Sequence, residues 1–287
     1  MTEIKINDLN QVFNHQNVLK NINLEFKNKA IYGLLGNNGV GKSTLMNLMT
    51  ERILPTSGYI SINGHNIHNN DVALQQMYLL NEDDMYSPSL KVRQIFNLTN
   101  EIYGNFNFKF AKLLSKKFDL NLSLKFGKLS TGYRTICKII VAFCVPVKYV
   151  LLDEPTLGLD ANHRNLFYEA LINTYSHNPR TFIISSHLIN EISKLLNYVI
   201  FINNGKIILN NSIEIIMKNS FAITGSKDDV KQYTRNLNVI GKRNLGKLST
   251  FYVYDHINNQ TKSFNIKIEK MNLQRLLICL SNIGKEG

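Results

Sequence analysis

The stretch GNNGVGKST occupies residues 36–44, between a short apolar run and a helical pattern. The apolar run, residues 30–35, has the length of a buried strand. Beyond the loop, four residues recur at helical spacing: Leu45, Leu48, Met49 and Arg52. A glycine-rich loop that ends in Lys-Ser between a strand and a helix is typical of a phosphate-binding loop. The sequence therefore predicts an α/β fold arranged around this loop. The alternative is a glycine turn that ends in Lys-Ser by chance.

The residue types in this loop suit the chemistry of nucleotide phosphates. Glycines lack a Cβ, so successive backbone N–H groups can turn toward phosphate oxygens, and the helix that begins near Lys42 adds the positive end of its dipole. Lys42 supplies a charge for the β- and γ-phosphates, and the Ser43 hydroxyl is an oxygen ligand for Mg²⁺. The candidate binding residues are Gly36, Asn37, Asn38, Gly39, Val40, Gly41, Lys42, Ser43 and Thr44.

The composition predicts a globular protein with free thiols and leaves its partners open. The 287 residues suffice for one large or two modest domains, and a hydrophobic fraction of 44% supports a proper core. A net charge of +12 suits a polyanionic ligand, nucleic acid or an anionic membrane surface. The basic residues are dispersed, so a solvated basic surface is the alternative. Three cysteines without metal-like spacing favour a reducing, cytosolic environment.

Neither the start of the chain nor its most apolar region suggests a membrane segment. The first residues, MTEIK, lack the charged-then-apolar pattern of a signal peptide. Residues 136–152 are strongly apolar, but Lys138, Pro146 and Lys148 interrupt them before they reach the roughly 20 residues of a spanning helix. We therefore expect a chain that does not cross a membrane by itself.

The hydrophobic pattern divides the chain into two regions, residues 1–212 and 213–287. Antiparallel strands are predicted at the start, where an Asn-Gly pair at residues 63–64 is a hairpin signal. A helical insertion is predicted at about 83–145, and beyond it strands alternate with helices, which implies a mostly parallel sheet. The second region carries no motif and is predicted as a small α+β appendage. Two further elements are predicted, a strand at 74–80 and a helix at 188–196.

A second group of candidate residues closes two later apolar runs. The run that begins at Tyr149 ends in Asp153 and Glu154, and His187 follows the run that begins at Thr181. Ligands of parallel sheets collect at the carboxyl ends of the strands. Asp153 would then hold the Mg²⁺ shell, Glu154 would polarise an attacking water as general base, and His187 would contact the γ-phosphate. The alternatives are acids that merely solvate a strand end and a structural histidine.

With two further motifs, these residues resemble the ATPase subunits of ABC transporters. Residues 36–44 look like Walker A, and residues 149–154 look like Walker B with its catalytic acid. LSTGY at 129–133 looks like a variant of the signature motif, LGLD at 157–160 like the D-loop, and His187 like the switch histidine. All five motifs occur in the family order. The resemblance implies an ATP hydrolase of the P-loop NTPase fold that binds ATP with Mg²⁺.

The resemblance also implies a head-to-tail pair in which each ATP lies between two chains. Ser130 and Gly132 of the signature would bind the γ-phosphate of the ATP held by the other chain, and Asp160 would contact its Walker A loop. ATP binding would close the pair, and hydrolysis would reopen it. Phe13 is the candidate for stacking on adenine, with ordinary packing as its alternative.

Two departures from the family pattern bear on activity. Glu82 stands where the family has the Q-loop glutamine, so it is a candidate catalytic and metal-binding residue that adds negative charge beside the phosphates. The signature has Thr131 and Tyr133 where the family has glycine and glutamine, but Ser130 and the second glycine remain, so we expect the site to work. The alternative is a weaker composite site in a pair of unlike subunits. With YGNFNF at 103–108, these departures resemble small bacterial exporters of antibiotics, lantibiotics or peptides, the phenol-soluble modulin exporters among them.

The resulting interpretation is the ATPase subunit of an exporter, peripheral on the cytoplasmic, inner face of the cell membrane. Its partners would be a second ATPase subunit, like or unlike, and transmembrane permease subunits that dock on the helical insertion. No nucleic acid is expected.

Two alternatives remain. A soluble ABC ATPase could act on nucleic acid or the ribosome, although ribosome-acting members usually carry two such domains. DNA-repair members insert a long coiled coil, whereas Asp153 follows Lys42 by only 111 positions without sustained heptads. A non-hydrolysing regulatory subunit is the second alternative, against which Glu154 argues.

Overall fold

The computed structural model describes residues 3–257 and 265–282, so residues 258–264 and 283–287 of the predicted accessory region lie outside the described residues. In chain order the strands are β1 (Ile4–Phe13), β2 (Gln16–Phe26), β3 (Ile31–Leu35), β4 (Ser57–Ile62), β5 (His65–Asn66), β6 (Met77–Leu80), β7 (Tyr149–Asp153), β8 (Thr181–Ser185), β9 (Tyr198–Asn203), β10 (Lys206–Ser212), β11 (Ser220–Ser226), β12 (Val239–Leu245), β13 (Leu248–Tyr254) and β14 (Ile266–Lys270). The helices are α1 (Lys42–Met49), α2 (Asp71–Leu74), α3 (Val92–Tyr103), α4 (Phe108–Lys117), α5 (Thr131–Cys144), α6 (Ala161–His177), α7 (Ile189–Ile192), α8 (Ile213–Lys218), α9 (Lys227–Tyr233) and α10 (Leu273–Asn282).

The first strands form an antiparallel sheet in the order β2-β1-β4-β5. Ile4 on β1 lies opposite Phe26 on β2 and Ile62 on β4, and all three side chains are buried in one cluster. The predicted hairpin is present, because Asn63 and Gly64 both adopt positive φ, as a tight turn between twisted strands requires.

The central sheet has the strand order β10-β9-β3-β8-β7-β6. All of its strands run parallel except β10, which returns antiparallel to β9. Strands β3, β7 and β8 are buried along their whole length, which explains why their sequences are continuous apolar runs. The predicted mostly parallel α/β core is confirmed.

Helices α3, α4 and α5 lie within residues 83–145, where the sequence predicted helices. Ile95 on α3, Leu114 on α4 and Ile140 on α5 are buried in one hydrophobic cluster, which also contains Leu152 of the central sheet. The helical insertion is therefore packed onto the core rather than extended from it. No helix in the described ranges combines the length and the apolar character needed to cross a bilayer.

The accessory region forms an antiparallel sheet in the order β12-β13-β11-β14, with α9 on one face and α10 on the other. Helix α10 also packs on the central domain, because Leu276 shares a buried cluster with Ile192 of α7. The Asn190 amide donates a hydrogen bond to Gln274 Oε1 across this contact. The predicted boundary between residues 212 and 213 falls between β10 and α8, and the division into two domains stays a prediction.

Three sequence predictions need correction. Helix α1 ends at Met49, so Arg52 lies beyond it. The predicted strand at 74–80 is shorter, because the side chain of Asn70 caps the short helix α2 and β6 begins only at Met77. The predicted helix at 188–196 is a single α-helical turn, α7, followed by a 3₁₀ turn.

Candidate functional site

The phosphate loop connects β3 to α1, and its backbone geometry requires glycine. Gly41 caps α1 with φ 106°, in the left-handed region that side-chain-bearing residues avoid. A Cβ at this position would lie 2.6 Å from Leu19 Cδ2 of β2, so the loop also packs too tightly for a larger residue. Gly41 therefore cannot be replaced by a larger residue without disturbing the start of α1.

Lys42 is the first residue of α1 and its side chain is folded back over the loop. Its ammonium donates hydrogen bonds to the carbonyl oxygens of Gly36 (2.9 Å) and Asn37 (3.0 Å). The residue is only 6% exposed. Burial lowers the pKa of the ammonium, while the carboxylates of Glu154 and Asp153 act in the opposite direction. A buried cation among acceptors of the phosphate loop is a suitable partner for an incoming phosphate.

Asp153 ends β7 and is anchored by the neighbouring strand. The Ser185 hydroxyl donates to Asp153 Oδ1 at 2.5 Å and accepts from the Glu154 N–H at 2.8 Å. Ser185 lies opposite Asp153 in the parallel register of β7 and β8. Sequence reasoning missed Ser185. The signal was a hydroxyl at the end of a buried strand, which gains meaning only once the strand order is known.

Glu154 leaves the sheet in a strained backbone conformation with φ 46°. It lines the same cavity as Lys42 and Ser43 of the phosphate loop. His187 Nδ1 donates to Glu154 Oε2 at 2.7 Å. Glu154 Oε1 is buried and has no hydrogen-bond partner among the described residues. One carboxylate oxygen is thus fixed by the imidazole, and the other is free to accept a proton.

A cavity of about 500 Å³ joins these groups in front of the phosphate loop. Nine of the predicted site residues line it: Asn38, Gly39, Gly41, Lys42, Ser43, Thr44, Glu82, Glu154 and His187. A second cavity of about 380 Å³ lies between the Glu82 loop, the end of β7 and the start of α5, and Asp153 lines it. The oxygen donors of Ser43, Asp153 and Glu82 suit Mg²⁺, which usually takes one or two carboxylates together with phosphate oxygens.

The remaining predicted residues lie outside the lining of the larger cavity. Ser130 caps α5, its hydroxyl accepting from the Tyr133 N–H at 3.3 Å, and Gly132 lies close to the Gly158 carbonyl. Asp160 caps α6 and accepts from the backbone and the ring of His163, and these hydrogen bonds lower the pKa of the Asp160 carboxyl. Phe13, at the end of β1, is half-exposed. The chain therefore brings together one part of the predicted site and leaves the signature residues apart from it.

Comparisons with known proteins agree with the motifs. Residues 19–157 match the family described as ABC transporter. The bacitracin transport ATP-binding protein BcrA of Bacillus licheniformis is 30% identical over 72% of this chain and 69% of its own length. The lantibiotic transport ATP-binding protein SrtF of Streptococcus pyogenes is 29% identical over 72% of this chain and 89% of its own length.

Solved structures show the same fold. An ATP-binding subunit of an ABC transporter superposes with a TM-score of 0.68 at 23% identity, covering 74% of this chain and 91% of that one. The dimeric ATP-binding cassette MJ0796, in a post-hydrolysis state with ADP and Pi, superposes with a TM-score of 0.66 at 20% identity, covering 73% of this chain and 98% of that one. The chain thus belongs to the ABC transporter family, as an ATP-binding and ATP-hydrolysing subunit.

Proposed function

We propose that this chain binds MgATP, pairs head-to-tail with a second ATPase subunit, and hydrolyses ATP to drive export through separate transmembrane subunits. One observation carries the proposal. Lys42, Ser43, Glu154 and His187 converge on one cavity, whereas Ser130 lies outside its lining. At this cavity the chain therefore holds a phosphate loop and a candidate base, while its own signature does not close over the γ-phosphate.

Within one chain, Glu154 is positioned to act as the general base. His187 holds its Oε2, and the unpartnered Oε1 can accept a proton from a water that attacks the γ-phosphate. Ser43, Asp153 and Glu82 would hold Mg²⁺, which would neutralise charge between the β- and γ-phosphates. Lys42 would exchange its two carbonyl partners for phosphate oxygens.

A second chain would supply the other wall. Ser130 and Gly132 lie at the N-terminus of α5, a 14-residue helix whose first backbone N–H groups suit an anionic phosphate. Asp160 would lie beside the other chain's Walker A loop, and Phe13 would stack on adenine. The dimeric MJ0796 cassette, which has the same fold, supports this pairing. One chain carries both halves of the site, so two copies would be enough to build complete sites.

The helical insertion offers a face for transmembrane subunits. Ile102 of α3 is 63% exposed, and it lines a groove of about 310 Å³ together with Tyr103, Arg52 and Leu79. Leu98, one turn earlier on α3, is also exposed. The names of SrtF and BcrA refer to lantibiotic and bacitracin transport, which supports a peptide antibiotic as the exported class.

Affinity purification of the tagged chain from detergent-solubilised membranes tests this assignment. We expect polytopic membrane subunits to co-purify, and Ile102→Asp to reduce their recovery at least about fivefold, since a buried charge would oppose an apolar contact. Ile172→Asp is the matched control, because Ile172 is 46% exposed on α6 and should tolerate the change. Recovery of ribosomes or DNA instead, in a salt-sensitive way, would contradict the exporter assignment.

A further inference from the structure

Lys138 is a buried lysine on α5, two turns beyond Ser130. It is only 3% exposed, and its neighbours on the helix are apolar core residues. Its ammonium donates to three successive backbone carbonyls, those of Asn81 (2.9 Å), Glu82 (3.1 Å) and Asp83 (3.2 Å). An ammonium has three N–H groups, so each one has a carbonyl partner.

Packing alone does not account for a lysine at this position. Burial lowers the pKa of the Lys138 ammonium, which reflects the cost of removing a charge from water, and the carboxylates of Asp84, Asp83 and Glu82 oppose that shift. An apolar side chain would fill the same space without this cost. An apolar side chain could not donate hydrogen bonds to the carbonyl oxygens of residues 81–83, whereas the ammonium donates to all three.

Arg134, one turn earlier on α5, holds the same loop at its other end. Its Nη1 donates to Asp84 Oδ2 at 2.8 Å, and its Nη2 donates to the Gly127 carbonyl. Two basic residues on one face of α5 therefore tie residues 81–84 to the helix that begins at the signature motif. Among the described residues the Glu82 carboxylate makes no hydrogen bond or ion pair, so Lys138 holds Glu82 through its backbone carbonyl.

We propose that Lys138 is a positioning residue, which fixes Glu82 beside the phosphate loop and couples its position to α5. The inference rests on the proposed role of Glu82 in holding Mg²⁺. Glu82 lines both cavities, and Lys138 lines the smaller one between the Glu82 loop and the end of β7. Any displacement of α5 when Ser130 meets the nucleotide of another chain would be transmitted to Glu82 through this lysine.

Equilibrium binding of the non-hydrolysable nucleotide AMP-PNP, with Mg²⁺ and with EDTA, tests the proposal without measuring turnover. The ratio of the two affinities reports how well the site holds the metal. We expect Lys138→Met to lower this ratio on the order of tenfold, as removal of an outer-shell partner does in other metal sites, while the affinity in EDTA stays within about twofold. Lys148→Met is the control, because Lys148 is exposed and, within the described part of the chain, its ammonium donates only to Gln76 Oε1.

A double-mutant cycle with Glu82→Ala separates the possible outcomes. If Lys138 acts through Glu82, Lys138→Met has no further effect on the ratio in the Glu82→Ala background. An unchanged ratio for Lys138→Met, or effects that add, would overturn the positioning role alone. An unchanged ratio for Glu82→Ala would overturn the metal role of Glu82, and this inference with it. Should Lys138→Met fail to fold, Lys138→Gln retains an amide donor and should give an intermediate ratio.

Discussion

Glu154→Gln is expected to lower ATP turnover on the order of a thousandfold while ATP affinity stays within about twofold. The amide keeps the size of the side chain and an oxygen that can accept from His187, but it cannot take a proton from water. The strained backbone at Glu154 and its unpartnered Oε1 both indicate that this carboxylate is held ready for a reaction rather than for stability. Phosphate release and equilibrium nucleotide binding measure the two quantities.

The same variant should also lengthen the lifetime of the ATP-bound pair, because hydrolysis is the step proposed to reopen it. Glu169→Gln on α6 is the matched control, since Glu169 is exposed and lies outside both cavities. Its turnover should equal that of the unmodified chain. Normal turnover by Glu154→Gln would remove Glu154 as the base and leave the chemistry of this site unexplained.

Lys42→Ala is expected to weaken nucleotide binding on the order of a hundredfold. Hydrogen bonds to a charged group contribute roughly 1.5–3 kcal/mol each, and two of them to phosphate would correspond to at least about a hundredfold in affinity. The buried position of Lys42 strengthens this expectation, because little water can reach the site to solvate the phosphate in place of the ammonium. Isothermal titration with ATP and Mg²⁺ measures the change.

Lys148→Ala serves as the control for this second prediction, since it removes an exposed lysine immediately before β7. It should bind ATP like the unmodified chain. If Lys42→Ala also bound ATP with unchanged affinity, residues 36–44 would not be the phosphate loop. They would then be a glycine turn that ends in Lys-Ser by chance.

The parts of the fold that depend on local pattern were predictable. The phosphate loop, the parallel core strands and the acids at the end of β7 follow from apolar runs bounded by motif residues, because a strand covered on both faces must be apolar along its length. Helix α3 lies within the helical insertion predicted at about 83–145. The sequence resemblance supplied the family, and the comparisons confirm it.

The parts that depend on contacts between distant segments were not predictable. Ser185 anchors Asp153 only because β8 lies beside β7 in register. In the sequence Lys138 only interrupts an apolar run, and the role proposed for it depends on contacts with residues more than fifty positions away. Helix α10 carries no motif, yet it packs on α7, the helical turn that follows His187. Leu276 on its apolar face and Ile192 of α7 are buried in the same cluster.

Mixing two inactive variants tests most directly whether each ATP site is completed by a second chain. Lys42→Ala damages the phosphate loop, and Ser130→Phe blocks the signature, so each variant alone should be nearly inactive. Random pairing makes half of the dimers mixed. In each mixed dimer one of the two sites is intact, because it combines the phosphate loop of the Ser130→Phe chain with the signature of the Lys42→Ala chain. An equal mixture should therefore recover about a quarter of the unmodified turnover. A mixture that stays as inactive as its components would contradict the composite site.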